Sequence, residues 1–226
     1  MSQEQQKRAA ATFAARLVSD GMFVGLGSGS TSKLVIEALG ERVRDGLLIT
    51  GVPTSAESGD LARNLGIPLT TLGDRELDLT IDGADEVDPN RNLIKGRGGA
   101  LLDEKLVAVA SRRYVIVVDA SKLVNRLGER HDVPIEVVRF GWQSTRARLG
   151  RAGFSCKIRG GETSFVTNDG NYILDCDAWG DRDLANPDVA ATIKSVTGVV
   201  EHGLFLGFNP EVVIGRATGV VEVRQG

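Results

Sequence analysis

The sequence has few of the residues that build metal centres and covalent scaffolds. Its 226 residues include two cysteines, Cys156 and Cys176, and two histidines, His131 and His202. Two cysteines are too few for a disulfide scaffold in a chain of this length, so we expect them to be buried thiols. The histidines stand far apart without the spacing of metal ligands, and we therefore expect no zinc site.

The sequence also lacks membrane segments and a large excess of charge. No apolar run approaches the ~20 residues of a membrane-spanning helix, and the N-terminal MSQEQQKRAA has no apolar stretch typical of a secretory signal. The formal net charge is −3, which gives no reason to expect a nucleic-acid or membrane partner. We expect a cytoplasmic protein.

Aromatic residues make up only 5% of the chain, whereas glycine is plentiful at 28 residues, which indicates many tight turns or backbone-lined pockets. Apolar residues at 42% are ordinary for a protein with a packed core. The length suits one large α/β domain, or one domain with a smaller companion.

Strand and helix patterns alternate in the first half of the chain. Strands are predicted at 22–26, 47–52, 77–81 and 114–118, and helices at 3–19, 32–44, 56–65 and 100–111. This alternation predicts an α/β fold with an open, mostly parallel sheet and helices on both faces.

The pattern changes after residue 130. Segments 133–138 and 171–175 resemble antiparallel strands, with helices near 143–152 and 187–196, while 203–223 returns to strand-like runs that we expect to rejoin the first sheet. We therefore predict an α/β domain of residues 1–130 with 204–226, which carries the candidate site, and a smaller α+β domain of residues 131–203.

Four polar segments each follow a predicted strand, at 27–31, 53–55, 82–86 and 119–122. In an open parallel sheet, ligands bind in the crevice outside the carboxyl ends of the strands. If the strands are parallel, all four segments lie along one edge, and this convergence favours a binding site there.

The first of these segments, 27–31, is rich in glycine and hydroxyl groups and lies between a strand and a helix. Such a turn binds anions through free helical N–H groups and hydroxyls. It lacks the Gly-Lys-Ser/Thr ending of an ATP-binding loop and the GxGxxG spacing of a dinucleotide fold, so a plain monophosphate fits better. The alternative is a tight turn with a Ser/Thr helix cap.

The segment 82–86 places three acids within five residues. Acids this crowded repel one another unless a cation or a polyhydroxy ligand interacts with them, which makes a sugar-hydroxyl or metal site plausible. The spacing does not continue into an EF-hand-type loop. The alternative is a solvated acidic turn.

Lys95 and the glycines after it precede the predicted helix that carries Glu104. A lysine and glycine-rich backbone can stabilise developing negative charge. Partial burial of Glu104 beside apolar residues would raise its pKa towards that of a general base, although an acid in the first turns of a helix also simply complements the helix dipole. Lys122 is a candidate phosphate contact or a surface lysine.

Taken together, these segments resemble the ribose-5-phosphate isomerase A family. The matching motifs, in the family's order, are GLGSGST (25–31), DGADE (82–86), KGRGGA (95–100), LDEK (102–105) and DASK (119–122). Looser similarity covers nearly the whole chain. The ordered set is far more specific than any one motif.

The resemblance implies an aldose-ketose isomerase that interconverts D-ribose 5-phosphate and D-ribulose 5-phosphate through a cis-enediolate in the non-oxidative pentose phosphate pathway. It implies that Glu104 is the general base, that Lys95 stabilises the enediolate oxygens, and that Asp82 and Asp85 hold sugar hydroxyls and assist ring opening. The implied substrate-binding residues are Ser28, Gly29, Ser30, Thr31, Asp82, Gly83, Ala84, Asp85, Lys95, Gly96, Arg97, Gly98 and Lys122. It also implies no cofactor, no metal, and assembly as a homodimer or homotetramer.

Three positions depart from the pattern of many relatives. Ser28 replaces a threonine, which keeps the hydroxyl, while Arg97 replaces a glycine and Gly99 an alanine. The role of the Arg97 side chain therefore stays open, as does the question of whether Lys7 reaches the ligand.

Two other classes of protein remain as alternatives. A sugar-phosphate-sensing module would share the glycine-rich turn 27–31, but it would normally follow a DNA-binding helix-turn-helix, and only one helix is predicted before the first strand. A second alternative is an amino-sugar phosphate deaminase or a coenzyme A transferase. Deamination would be expected to use a histidine near the site, and both histidines lie outside the motifs.

Overall fold

A computed structural model describes residues 1–178 and 182–225. The chain forms two compact units. The first unit comprises Met1–Ala84, Asp103–Lys122 and the residues from Asn209 onward, and the second comprises Asp85–Leu102 and Leu123–Phe208. The domain boundaries expected from the sequence, 1–130 with 204–226 and 131–203, stay a prediction.

Six α-helices and thirteen β-strands occur within these described residues. The helices are α1 (Gln3–Ala15), α2 (Gly29–Arg44), α3 (Ala56–Asn64), α4 (Leu101–Val109), α5 (Trp142–Arg151) and α6 (Pro187–Lys194). The strands are β1 (Phe23–Leu26), β2 (Thr50–Pro53), β3 (Leu79–Asp82), β4 (Glu86–Val87), β5 (Leu93–Ile94), β6 (Tyr114–Asp119), β7 (Val133–Val137), β8 (Phe154–Ile158), β9 (Tyr172–Ala178), β10 (Val199–His202), β11 (Leu204–Phe205), β12 (Glu211–Gly215) and β13 (Val221–Arg224). A short 3-10 helix spans Ala120–Lys122.

The sheet of the first unit has six strands in the order β13-β12-β6-β3-β1-β2. The pairs from β12 to β2 are all parallel, and only β13 pairs in the antiparallel direction. This confirms the predicted open, mostly parallel sheet. It also confirms that β12 and β13 rejoin the first sheet, whereas Leu204 and Phe205 of the same predicted segment pair with β5 in the second unit.

Helices cover both faces of this sheet, as β1 shows. Side chains alternate between faces along a strand, so Val24 and Leu26 point one way and Gly25 the other. Val24 and Leu26 join a core that includes residues of α1 and α2. On the other face, a Cβ at Gly25 would lie 2.6 Å from Val107 of α4, so α4 covers this face closely.

The first helix also lies directly against the penultimate strand. A Cβ at Gly215, the last residue of β12, would lie 2.0 Å from the carbonyl oxygen of Gln6 in α1. Glycine is therefore required where the backbone of α1 meets β12. The helix ends at Ala15, earlier than the predicted residue 19, because the chain tightens into turns before the left-handed Gly21.

The second unit contains two antiparallel sheets, one of order β10-β7-β9-β8 and one of order β11-β5-β4. Apolar residues of α5 and α6, such as Leu149 and Ile193, pack with Ile135 and Leu174 in one core. This confirms the predicted smaller antiparallel sheet, although β4, β5, β8, β10 and β11 were not predicted as separate strands.

The two cysteines form a disulfide, so the expectation of buried thiols is wrong. Their sulfur atoms are 2.06 Å apart, and Cys156 of β8 lies directly opposite Cys176 of β9. The pairing depends on strand register, which the separation of 20 residues in the sequence does not reveal. The disulfide closes the β8–β9 hairpin.

Candidate active site

The strand order of the first unit has a switch point beside β1. From β1 the chain passes through α2 to β2 on one side, while β3 pairs with the other side of β1. Open α/β sheets bind ligands at the carboxyl ends of strands at such a point. The segments that follow β1 and end β3 here are 27–31 and 82–84, which we call the anion turn and the acidic segment.

Asp82 fastens the acidic segment to the anion turn. Its carboxylate is fully buried and its Oδ1 accepts hydrogen bonds from the Ser28 N–H at 3.1 Å and the Ser32 hydroxyl at 3.1 Å. The Gly83 N–H donates to the same oxygen at 2.7 Å. A Cβ at Gly27 would lie 2.0 Å from this Oδ1, so only glycine leaves room for the carboxylate.

The anion turn opens α2 three residues earlier than the predicted start at residue 32. Gly29 adopts a left-handed φ of 85°, which favours glycine, and Ser30 and Thr31 lie in the first turn of the 16-residue helix. The N–H groups of a helix's first turn have no partner within the helix and can bind an anion. The Ser28 hydroxyl bonds to Thr54 at 2.6 Å rather than capping the helix.

Two polar residues that sequence reasoning did not assign to the site also hold the anion turn. Thr54 bonds to Ser28, and the buried Ser58 hydroxyl donates to the Gly27 carbonyl at 2.7 Å. Thr54 lies in the segment 53–55 that was expected at this edge of the sheet, but Ser58 carried no signal because it lies inside a predicted helix.

Lys7 lies beside the anion turn. Its Nζ donates to the Ser30 hydroxyl at 3.3 Å, which brings a positive charge from α1 to this edge. It also interacts with Asp119, the last residue of β6, whose carboxylate accepts hydrogen bonds from the Ser121 N–H and Gln3. Burial opposes ionisation of Asp119, but these hydrogen bonds and the charge of Lys7 outweigh it and lower its pKa. Lys122 follows in the 3-10 helix.

Glu104 is buried in α4, with 6% of its surface exposed. Val107 packs over Gly25 of β1, and Ser111, beyond the end of the helix, bridges to Leu77 before β3. The helix therefore runs from the carboxyl edge of the sheet towards its amino edge. Glu104 precedes Val107 by three residues, about 4.5 Å along the axis, and so lies towards the carboxyl edge with the anion turn.

In the second unit, Lys95 is also buried. It directly follows β5, its N–H donates to the Gly203 carbonyl at 2.9 Å, and its Nζ lies 5.6 Å from the centre of the Phe205 ring. Such a cation over an aromatic face is stabilised by the ring quadrupole. The backbone N–H of Asp85 donates a hydrogen bond to the Ile94 carbonyl, and the side-chain Oδ2 of Asp85 accepts one from the Arg97 N–H at 3.0 Å.

A cavity of about 420 Å³ opens in the second unit next to these groups. Six of its eight lining residues are acidic or basic, and the full set is Asp85, Arg97, Arg130, His131, Asp132, Pro134, Arg159 and Asp175. Arg97 thus lines a polar cavity, in keeping with a site for a hydrophilic ligand.

The three acids of the segment 82–86 have separate partners. Asp82 accepts hydrogen bonds from the anion turn, and Asp85 accepts one from the Arg97 N–H. The buried Glu86 accepts hydrogen bonds from the backbone N–H groups of Gly128, Arg130 and His131.

In the described ranges 1–178 and 182–225, no group of three or more acidic, His or Cys side chains could hold a metal ion. No helix of the described chain is long and apolar enough to cross a membrane.

The structure thus brings Asp82, Gly83 and the anion turn together and places Glu104 towards the same edge of the sheet. In the second unit it brings Asp85 and Arg97 together beside a polar cavity. The catalytic and binding roles of all these residues stay predictions.

These features define a class of protein. An open α/β sheet with an anion turn at its switch point, together with buried acid and lysine side chains, is typical of an α/β protein that binds a small phosphorylated ligand.

Comparison with known proteins gives the family. Residues 50–219 match the family described as ribose 5-phosphate isomerase A (phosphoriboisomerase A). A ribose-5-phosphate isomerase A of Ruegeria sp. (strain TM1040) is 49% identical over 232 residues, covering 98% of this chain and 87% of that protein. The chain belongs to the ribose 5-phosphate isomerase A family.

Solved structures agree with this assignment. The ribose 5-phosphate isomerase A of Methanocaldococcus jannaschii superposes with a TM-score of 0.92 at 38% identity, with all of both chains covered. A D-ribose-5-phosphate isomerase in complex with phospho-erythronic acid superposes with a TM-score of 0.93 at 36% identity, again over all of both chains. The expected family and fold class are confirmed.

Proposed function

We propose that this protein is a ribose-5-phosphate isomerase of the non-oxidative pentose phosphate pathway, which interconverts D-ribose 5-phosphate and D-ribulose 5-phosphate through a cis-enediolate. Membership of the isomerase family and the phospho-erythronic acid complex of a relative support the reaction and the class of ligand. The observation that carries the proposal is the buried Glu104, which lies towards the same sheet edge as the anion turn.

In this proposal the anion turn binds the phosphate. The N–H groups of Gly29, Ser30 and Thr31 at the start of α2, with the charge of Lys7, would bind its oxygens, and Lys122 would add a second cation. The phosphate is remote from the reacting carbons, so its binding energy serves to fix C1 and C2 against the catalytic groups.

Glu104 would act as the general base that moves a proton between C2 and C1 of the opened sugar. A proton beside a sugar carbonyl is weakly acidic, so the negative charge that develops on oxygen must also be stabilised. Lys95 would do this, and one preorganised donor contributes about 3 kcal/mol. Asp82 and Asp85 would hold the sugar hydroxyls and assist ring opening.

The test is incubation of the protein with ribose 5-phosphate in deuterated water. An enediolate route puts solvent deuterium on the carbon next to the carbonyl, and NMR detects this label. The Glu104→Gln variant should lose about 10³-fold in kcat while it still binds the sugar phosphate, because the amide cannot accept the proton. Isomerisation without any solvent label would instead indicate hydride transfer.

Substrate profiling separates the alternative functions. Turnover of glucosamine 6-phosphate without ribose 5-phosphate activity would indicate a deaminase, and this comparison is needed because His131 lines the cavity beside Asp85. A sensing module would bind sugar phosphates without turning them over, and Glu104→Gln would change nothing.

Assembly and location belong to the same proposal. We expect a homodimer or homotetramer, as the family resemblance implies, and the 95% exposed Phe140 offers apolar surface for association. Sedimentation velocity measures the assembly.

We propose a cytoplasmic location, although disulfides such as Cys156–Cys176 are more usual in oxidising compartments. Fractionation, with thiol titration of the protein from cells, tests this location.

A further inference from the structure

Arg159 holds two backbone carbonyls of the glycine-rich segment 95–99. It directly follows β8, and its Nη1 donates to the carbonyl oxygen of Gly96 at 2.9 Å and to that of Arg97 at 3.0 Å. The same guanidinium forms a two-point ion pair with Asp175 of β9, in which Nε donates to Oδ2 at 2.9 Å and Nη2 to Oδ1. One planar group therefore links the β8–β9 hairpin to the segment that contains Lys95.

These bonds fix the direction of the neighbouring N–H groups. In a trans peptide group the C=O and the N–H lie in one plane and point in opposite directions. Because the Gly96 carbonyl faces Arg159, the N–H of Arg97 points away from it, and this N–H donates to Asp85 Oδ2 at 3.0 Å. For the same reason, the bond from Arg159 to the Arg97 carbonyl turns the N–H of Gly98 away from the guanidinium.

We propose that Arg159 is a positioning residue for the isomerisation. By holding the Gly96 and Arg97 carbonyls, it orients the Gly98 N–H as a donor for the substrate and keeps the Asp85 carboxylate in place through the Arg97 N–H. This inference rests on the proposed function and on the prediction from the sequence that Asp85 and the segment 95–98 bind the substrate. Arg159 itself acts only through these groups.

A purely structural role for Arg159 would need only part of this arrangement. The ion pair with Asp175 is enough to brace the β8–β9 hairpin, whereas the bonds to Gly96 and Arg97 reach 63 and 62 residues back in the sequence. Phe165 adds a second contact, because its ring occupies the space that a Cβ at Gly99 would take, with ring Cζ 2.4 Å away. The hairpin therefore packs on the glycine-rich segment at two points.

The Arg159→Lys variant tests the proposal. Lysine keeps the positive charge but lacks the planar fork, so it cannot serve Asp175 and both carbonyls together. We expect kcat to fall by about 10²-fold, because small displacements of catalytic groups are that costly. The KM for ribose 5-phosphate should stay within about twofold, because the anion turn still binds the phosphate and the displaced groups act mainly on the charge that develops in the transition state.

Amide hydrogen exchange gives a second readout that does not depend on activity. Exchange at the Arg97 amide should be at least tenfold faster in Arg159→Lys than in wild type, since the bond to Asp85 is no longer held. If wild type has no isomerase activity, the proposed function fails, and exchange still shows whether Arg159 orders the segment. Unchanged exchange overturns the inference, as does faster exchange with wild-type kcat.

Arg113→Lys is the matched control. Arg113 forms the same kind of two-point ion pair, with its Nη2 2.9 Å from Oε2 of Glu211, but within the first unit. This variant should lower stability and leave kcat unchanged. An equal loss of kcat in both variants would show general loosening and overturn the inference.

If Arg159→Lys does not fold, the Asp175→Asn variant replaces it. Asp175→Asn keeps Arg159 and removes only its charged partner, and the same two readouts apply.

Discussion

In this site, side chains are fixed in place mainly where the backbone and a carboxylate group lie very close together. Asp82 lies against Gly27 at a distance that no other residue type allows. The glycine-rich pattern and the acids could be read from the sequence, but the bond between them could not, because 54 residues separate Ser28 from Asp82. Likewise, no local pattern distinguishes Ser58, inside α3, from a solvated helical serine.

Gly27→Ala should displace the Asp82 carboxylate, because the new methyl group would lie 2.0 Å from its Oδ1. Overpacking of this kind costs about 1–3 kcal/mol, and the KM for the sugar phosphate should rise as the anion turn shifts. Urea unfolding and steady-state kinetics measure both effects. Gly73→Ala is the control, since a Cβ there meets nothing within 4 Å. Equal behaviour of the two variants would contradict the steric explanation.

Asp119 should contribute stability that depends on pH. Its pKa is lowered in the folded protein, despite burial, by hydrogen bonds from Ser121 and Gln3 and by Lys7. The carboxylate therefore stabilises the fold at pH values above the unfolded pKa of about 3.9, and this contribution disappears as the pH falls through the lower folded value.

The Asp119→Asn variant tests this dependence. At about pH 5–7, where aspartates are ionised, the variant should have a lower free energy of unfolding than wild type. This difference between the two proteins should become smaller towards about pH 3. Urea titrations across this range provide the measurement. Asp60→Asn serves as the control, because Asp60 is 72% exposed and its ion pair with Arg63 is worth little. A gap that does not vary with pH would count against the ionic explanation.

Among helices and strands, the long periodic segments were predictable and the short ones were not. The parallel strands β1, β2, β3 and β6 and most helices show clear apolar patterns, whereas β4, β5 and β11 contain two residues each, too few to produce a periodic signal. In β8 the exposed Lys157 interrupts the apolar run. Without β8, the opposed positions of Cys156 and Cys176 could not be inferred.

The disulfide should stabilise the β8–β9 hairpin. Closing a loop of 20 residues restricts the unfolded chain, so the Cys156→Ala/Cys176→Ala variant should lose about 3 kcal/mol. Urea unfolding with and without dithiothreitol measures this loss. The reductant should lower wild type to the level of the double variant and leave that variant unchanged. Two free thiols in the denatured, unreduced protein would show that the bond is absent.

The whole chain is expected to work without a metal ion. The acids that the sequence brings together in 82–86 have different protein partners, and the ammonium group of Lys95 rather than a metal ion would stabilise the enediolate. Dialysis against EDTA should leave isomerase activity within about 20% of its starting value, since no step of the proposed reaction uses a Lewis acid. Inactivation that a divalent cation reverses would contradict this expectation.

The packing of α1 against β12 also bears on the order of events during synthesis. The backbone of Gln6 meets Gly215, and Lys7, one residue further on, reaches the anion turn. At ~5–20 residues per second, the ribosome needs on the order of tens of seconds to make the chain between them. The first helix is therefore synthesised well before its neighbour β12, and it cannot make these contacts until β12 has been translated.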